Sequence, residues 1–78
     1  MPVTLFLTKL KVGTKGRVYN YLNPEIKSKM LNIGIVPDAE IKLVRVAPFG
    51  GAYFIKLGRH FYALRKEEAG ALELYIES

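Results

Sequence analysis

The residues that could perform acid–base or nucleophilic chemistry are few. The chain has one histidine, His60, and no cysteine, which excludes cysteine nucleophiles, disulfides and thiolate metal centres. Glu67 and Glu68 are adjacent, and side chains at that spacing diverge on a helix. The Gly50-Gly51 pair follows a predicted strand but lacks the Lys-Ser/Thr pair of a phosphate-binding loop. The sequence therefore predicts a protein that is not an enzyme.

His60 is the one imidazole that could bind a metal ion. Imidazole is a common metal ligand, but a structural site normally takes about four ligands, and no second ligand stands at a fixed spacing from His60. The residue is in phase with Tyr62 and Leu64, so its ring could lean against the barrel interior near its mouth. We interpret it as a structural or surface histidine in preference to a metal ligand. We expect the chain to fold without a cofactor and to bind metal weakly at best, with His60 as the contact if a metal ion binds.

Positive charge is concentrated in the first part of the chain. The 12 Lys and Arg residues all lie in residues 1–66, together with three of the seven acidic residues. The other four acidic residues lie in residues 67–78, and the whole chain has a net charge of +5. A basic surface favours an acidic partner, such as nucleic acid, an anionic membrane or an acidic protein. The lysines are scattered singly, and we interpret most of them as solvated surface.

The aromatic residues leave two kinds of binding open. Arg17, Tyr19 and Tyr21 interleave one positive charge with two rings on a predicted strand that carries both tyrosines on one face, as in barrels that bind RNA or DNA by base stacking. Phe49 differs from them, because it stands between a proline and a glycine in a predicted loop, where an apolar side chain is often exposed for binding. Nucleic-acid binding is therefore kept as an alternative to protein binding, although the other aromatic residues fit a core better.

Glycine and proline divide the chain into short segments typical of a small barrel. A helical turn is expected around Leu7 and Leu10, and another helix over Lys66–Gly70. We predict a mainly β fold, an SH3-like β-barrel or an OB-like one, of five to six short strands with one inserted short helix, formed by one domain over residues 1–78. The predicted strands are Arg17–Leu22, Glu40–Ala47, Tyr53–Leu57, His60–Arg65 and Ala71–Glu77, and Val3–Leu7 is either a further short strand or an extended lead-in.

The inserted helix has clear start and stop signals. Asn23 is a good N-cap, and it is followed by Pro24 at the first helical position and by an acidic residue near the positive end of the helix dipole. Gly34 is suited to a left-handed C-terminal cap. These signals predict one helix of about ten residues.

Apolar periodicity identifies the core. In the last strand it places Leu72, Leu74 and Ile76 inward and Glu73, Tyr75 and Glu77 outward. The residues expected inside the barrel are Leu7, Leu10, Val18, Met30, Ile33, Leu64, Leu72 and Leu74.

We expect neither a secretion signal nor a membrane anchor. Its N-terminus has no basic leader, and no apolar stretch approaches the roughly 20 residues that a spanning helix needs. Because a chain without cysteine suits a reducing compartment, we expect a cytoplasmic location.

An ordered set of motifs resembles the FeoA-like family of ferrous iron transport accessory proteins. The match runs from about Leu7 to Ile76, nearly the whole chain. It consists of Leu7-x-x-Leu10-x-x-Gly13, Gly16-x-Val18, the segment from Lys29 to Pro37, the segment from Ala47 to Gly51, the segment from Tyr62 to Ala69, and Leu72-x-Leu74.

The resemblance implies an SH3-like domain that acts on a FeoB-like membrane transporter of ferrous iron, through the transporter's cytoplasmic G domain. Contact with the membrane would then be indirect. Family members are also described as binding transition metals, which the residues of this chain do not by themselves predict. The family's domain type also occurs at the end of iron-dependent repressors, but this chain has no helix-turn-helix segment.

For the docking surface we expect the helix and the Pro48–Gly51 loop. Lys27 and Lys29 lie on the helix, whose apolar face must be buried, so part of this charge must point outward. Phe49 would supply contact area and the lysines would supply electrostatic steering. Arg65 and Glu68 are expected to pair with each other or with the backbone of their own turn.

Overall fold

The architecture is a single antiparallel sheet with two short helices, as seen in a computed structural model that describes residues 3–76. The strands are β1 (Val3–Phe6), β2 (Lys15–Tyr21), β3 (Glu40–Val46), β4 (Tyr53–Leu57), β5 (His60–Leu64) and β6 (Leu72–Ile76). The helices are α1 (Pro24–Asn32) and α2 (Lys66–Gly70), and a 3₁₀ turn spans Leu7–Lys9. None of the helices in residues 3–76 is long and apolar enough to cross a membrane.

The sheet curls around one core but leaves a seam. Its strand order is β1-β6-β2-β3-β4-β5, and all neighbours are antiparallel. Leu7, which follows β1, and Leu64 on β5 belong to the same core cluster, so the two ends of the sheet must bend toward each other. Within residues 3–76, β1 and β5 do not pair. The mainly β prediction of five to six strands with an inserted helix is confirmed, and the barrel is open at this seam.

The core confirms most of the predicted interior and adds to it. Six of the eight expected residues are buried, while Leu10 and Ile33 are half-buried and pack against the cluster. Each fully buried aliphatic side chain contributes about 2 kcal/mol relative to an exposed one. The core residues that the sequence analysis did not select are Ile35, Ile41, Leu43, Ile55 and Ala69. The predicted outward position of Glu77 lies outside the described residues.

Helix α1 begins and ends at the predicted signals. The Asn23 side chain accepts a hydrogen bond from the Ile26 N–H at 2.8 Å, and Pro24 occupies the first turn. The helix ends at Asn32, and Gly34 follows with a φ of +97°, the left-handed conformation in which glycine is favoured. These local interactions explain why α1 could be predicted almost to the residue.

A β-bulge in β2 corrects one sequence prediction. Tyr19 and Tyr21 were expected on the same face of the strand, but the pairing of β2 with β6 shifts register between Val18 and Asn20. A bulge adds one residue to one strand and so interrupts the alternation of side chains. As a result Tyr19 is exposed, whereas Tyr21 is half-buried against the core.

Tyr21 connects β2 to the segment that follows α1. Its hydroxyl donates a hydrogen bond to the carbonyl oxygen of Ile35 at 2.6 Å, and burial raises the pKa of the phenol. We expect Tyr21→Phe to lower the free energy of unfolding by about 1 kcal/mol, because the carbonyl loses this donor. The matched control is Tyr19→Phe, which should change it by less than about 0.5 kcal/mol at an exposed position. Urea denaturation of both variants measures the difference, and equal effects would contradict this role of the Tyr21 hydroxyl.

Candidate partner-binding surface

The loop between β3 and β4 holds an aromatic ring fully in solvent. Phe49 is 104% exposed, and its φ is +59°. Non-glycine residues rarely adopt this left-handed conformation. The Ala47 N–H donates to the Ala52 carbonyl at 2.9 Å, which closes the base of the loop. The predicted exposure of Phe49 is confirmed, and the short closed loop explains why no core residue can cover the ring.

Helix α2 lies next to this loop. One side of a shallow pocket is formed by Gly50, Gly51 and Ala52, and the other side by Arg65, Lys66 and Glu67. The side chains of Arg65, Lys66 and Glu67 are all exposed. The pocket therefore joins the loop of Phe49 to the first turn of α2 in one continuous surface.

Glu68 joins α2 to α1. It is buried, with 6% exposure, and its carboxylate accepts a hydrogen bond from the Arg65 N–H at 2.7 Å and forms an ion pair with Lys29. Burial alone would raise the pKa of Glu68, but the bonds from Lys29 and from the Arg65 N–H, with the two positive charges, outweigh it and lower the pKa. The expected pairing of Glu68 with the backbone of its own turn is confirmed. Its ionic partner, however, is Lys29 and not the Arg65 side chain.

The two helix lysines have different surroundings. Lys27 is exposed near the start of α1, and no carboxylate of residues 3–76 lies within 4.0 Å of its ammonium. Lys29 keeps 59% of its side chain exposed, but its ammonium binds Glu68. Lys27 thus presents a whole positive charge, whereas that of Lys29 is largely neutralised by its partner. Sequence reasoning missed this ion pair because the two residues are far apart along the chain.

His60 is a surface residue, one of the two positions expected for it, and its ring is not buried in the barrel. It begins β5 opposite Leu57, beside the hairpin turn of Gly58 and Arg59, and it is exposed. His60 lies on the same face of β5 as Tyr62, which is half-buried, and Leu64, which is buried. The tip of the hairpin, however, extends past the core. A residue at the tip therefore stays exposed even when it lies on the inner face of the strand.

The residues around His60 do not fit a metal site. Its ring lies 6.4 Å from that of Tyr62, measured between centroids. In the part of the chain that the structure describes, no group of three or more His, Cys, Asp or Glu residues could hold a metal ion. A lone exposed imidazole lacks the further ligands that a specific site requires.

The residues proposed for base stacking do not form one platform. Tyr19 stacks on Tyr75 with ring centroids 6.1 Å apart and an interplanar angle of 21°. Arg17 lies 3.7 Å from the carboxylate of Asp38, and Tyr21 is turned inward by the bulge. Only one of the two predicted rings is therefore available on the surface, and it is already stacked on a neighbour.

Comparison with known proteins identifies one family and several solved structures that this chain resembles. The family model described as FeoA domain matches residues 6–75. A crystal structure of an iron uptake regulatory protein (FeoA) is 26% identical, with a TM-score of 0.80 over 92% of this chain and 95% of that chain.

More distant structures share the fold. FeoA from Stenotrophomonas maltophilia complexed with zinc, described as a prokaryotic SH3 domain protein, is 24% identical and covers 90% of this chain and 88% of that chain, with a TM-score of 0.75. A manganese-dependent transcriptional repressor is 19% identical, with a TM-score of 0.86 over 99% of this chain. This chain spans 44% of the repressor's length. The predicted SH3-like fold is thus confirmed.

Proposed function

Because the chain belongs to the FeoA domain family, we propose that it is a non-catalytic accessory protein of ferrous iron transport. It acts in the cytoplasm by binding the G domain of a FeoB-like membrane transporter, and it meets the membrane only through that transporter. The family match over residues 6–75 and the likeness to an iron uptake regulatory protein support the transport role. The function needs no bound cofactor, since the proposed contact is made by side chains of the surface.

The exposed ring of Phe49 is the observation that carries the proposed docking site. A fully exposed aromatic side chain has no role in the core, and the left-handed backbone at Phe49 is unfavourable for a bulky residue. Strained, exposed loop residues of this kind are typical of binding sites. A ring of this size is also a common anchor at protein interfaces. We therefore place Phe49 at the centre of the contact with the G domain.

Positive charge around the ring supplies electrostatic steering. Lys66 lines the pocket beside the loop, and Lys27 is exposed on α1, the helix that the Lys29–Glu68 ion pair joins to α2. Charges at the rim of an interface mainly raise the association rate and make it sensitive to salt. Lys29 belongs to the same proposed surface, but its reversal would also remove the ion pair with Glu68. Lys27 is therefore the cleaner position for a test.

We expect Phe49→Asn to weaken binding to the purified G domain by about tenfold or more. Asparagine tolerates the left-handed conformation, so the variant should keep its thermal stability. Phe49→Tyr keeps a ring and should keep most of the affinity. Calorimetric titration of the three proteins measures these affinities. Equal affinity of wild type and Phe49→Asn would overturn the placement of the docking site.

Charge reversal separates steering from contact. Lys27→Glu should lower the association rate several-fold at low salt, and the difference should shrink as salt rises. Lys9→Glu is the matched control, because Lys9 is an exposed lysine of the 3₁₀ turn and does not line the pocket beside the loop. If the wild-type protein binds single-stranded RNA with a steep salt dependence and does not bind the G domain, the proposed function is wrong.

A further inference from the structure

Three lysines face one another across the outer surface of the sheet. Lys15 on β2 is directly opposite Lys42 on β3, and Lys42 is directly opposite Lys56 on β4. The row continues to β5, where Phe61 is opposite Lys56. All four side chains are exposed, and Phe61 has 63% exposure. We call this row, together with Val12, the lysine face.

This arrangement is unfavourable for the isolated protein. Side chains directly opposite each other in a sheet have Cβ atoms about 5 Å apart, and like charges there are destabilising. Among residues 3–76, no carboxylate lies within 4.0 Å of these three ammonium groups. Glu40 shares a recess with all three lysines and supplies one negative charge against their three positive ones. The lysine face therefore keeps an excess of positive charge over the one carboxylate beside it.

An apolar groove of about 420 Å³ adjoins the lysines. Val12 and Phe61 line it, together with Val44, Lys42 and Lys56, and Val12 has 59% exposure. The turn that carries Val12 is held to β3, because the Gly13 N–H donates to the Leu43 carbonyl at 2.7 Å. The groove is thus formed by backbone that is already fixed, which lowers the entropic cost of binding.

We propose that the lysine face binds an extended acidic segment of a partner protein, with one apolar side chain of that segment seated between Val12 and Phe61. Charge complementarity selects the acidic segment, and the groove selects a segment with an apolar residue among its carboxylates. This surface is separate from Phe49 and α1, and the proposal does not rest on the proposed function.

A protein segment fits this face better than the other anionic partners do. The Lys56 ammonium lies over the Phe61 ring, 5.7 Å from its centroid, so one face of the ring is not free to stack on a nucleic-acid base. Val12 and Phe61 line a recess, whereas side chains that insert into a membrane must project from the surface. An extended segment can place a single side chain into the recess while its carboxylates follow the lysines.

The test uses fluorescence anisotropy with a labelled peptide of Asp and Glu residues around one Leu, and a second peptide in which Ser replaces Leu. We expect the wild type to prefer the Leu peptide and Phe61→Thr to lose that preference. Lys42→Gln, in the middle of the row, should weaken binding about tenfold, whereas the matched control Lys9→Gln should change it less than about twofold. Lys42→Gln should also raise the thermal midpoint, because it relieves the repulsion.

Several outcomes would overturn the proposal. Equal losses in Lys42→Gln and Lys9→Gln would indicate general charge attraction, and undetectable peptide binding at low salt would exclude the site. If the wild type binds oligouridine or phosphatidylserine vesicles more tightly than the Leu peptide, and Lys42→Gln weakens that binding, the face is assigned to RNA or to lipid instead. A parallel titration of Phe49→Asn with the Leu peptide should show wild-type affinity, so that failure here is distinguishable from failure of the docking site for the G domain.

Discussion

Glu68→Ala is expected to lower the free energy of unfolding by about 2 kcal/mol. The substitution removes the acceptor of the Arg65 N–H and the ionic partner of Lys29, and bonds to a buried charged group contribute more than neutral ones. The loss is smaller than for a fully buried ion pair, because Lys29 is 59% exposed and can be solvated when it is left alone. Denaturation by urea, monitored by circular dichroism, measures the change.

The neighbouring acid is the matched control for this prediction. Glu67 is exposed in the first turn of α2, and Glu67→Ala should change the free energy of unfolding by less than about 0.5 kcal/mol. Glu68→Gln should fall between the two, since its amide oxygen can still accept from the Arg65 N–H but carries no charge. Similar losses for Glu67→Ala and Glu68→Ala would show that general helix propensity and not the buried contact is responsible.

The same contact should make stability depend on pH. The pKa of Glu68 in the folded protein lies below its ordinary value of 4.5, so near that pH the unfolded state binds more protons than the folded state. Stability from this group is therefore complete above pH 4.5 and is lost as the pH falls through the lower folded pKa. The contribution of Glu68 is the difference between the free energies of unfolding of the wild type and of Glu68→Ala, measured as a function of pH. A difference that does not shrink toward acid pH would contradict the assignment.

Gly16→Val is expected to lower the free energy of unfolding by about 3 kcal/mol. Gly16 is buried in β2, and a Cβ built on it would lie 3.0 Å from the Cβ of Leu74 and 2.7 Å from the Cδ1 of Ile76. The end of Ile76 can rotate away, but the Leu74 Cβ is fixed to the backbone of β6. A branched side chain must therefore separate β2 from β6, the strand with which it shares most of its contacts. Thermal and urea denaturation both report this loss.

Gly70→Ala is the control for the glycine substitution. The corresponding Cβ would lie 3.8 Å from the Cγ2 of Thr8, an ordinary van der Waals contact, and Gly70 ends α2. We expect its free energy of unfolding to stay within about 0.5 kcal/mol of the wild type, because alanine is the better helix former. If Gly16→Val is as stable as Gly70→Ala, β2 and β6 do not pack as closely as described.

Features that depend on residues close together in the chain could be predicted from the sequence. The start of α1 depends on Asn23 and Ile26, three residues apart, and its end on Gly34. The β4–β5 hairpin depends on Gly58, whose φ of +61° suits the first position of a tight turn. Phe49 could be assigned to the surface because the turn residues around it leave the loop too short to fold back on the core.

The tertiary structure decided the features that require alignment of distant segments. The bulge that separates Tyr19 from Tyr21 follows from the pairing of β2 with β6, and the exposure of His60 follows from where the hairpin ends relative to the core. Glu68 and Lys29 form an ion pair only because the fold packs α2 near α1. Lysines that look scattered along the chain form a row because strand register places Lys15, Lys42 and Lys56 side by side. Local propensity carries no information about such register, which is set by the burial of the opposite face of each strand.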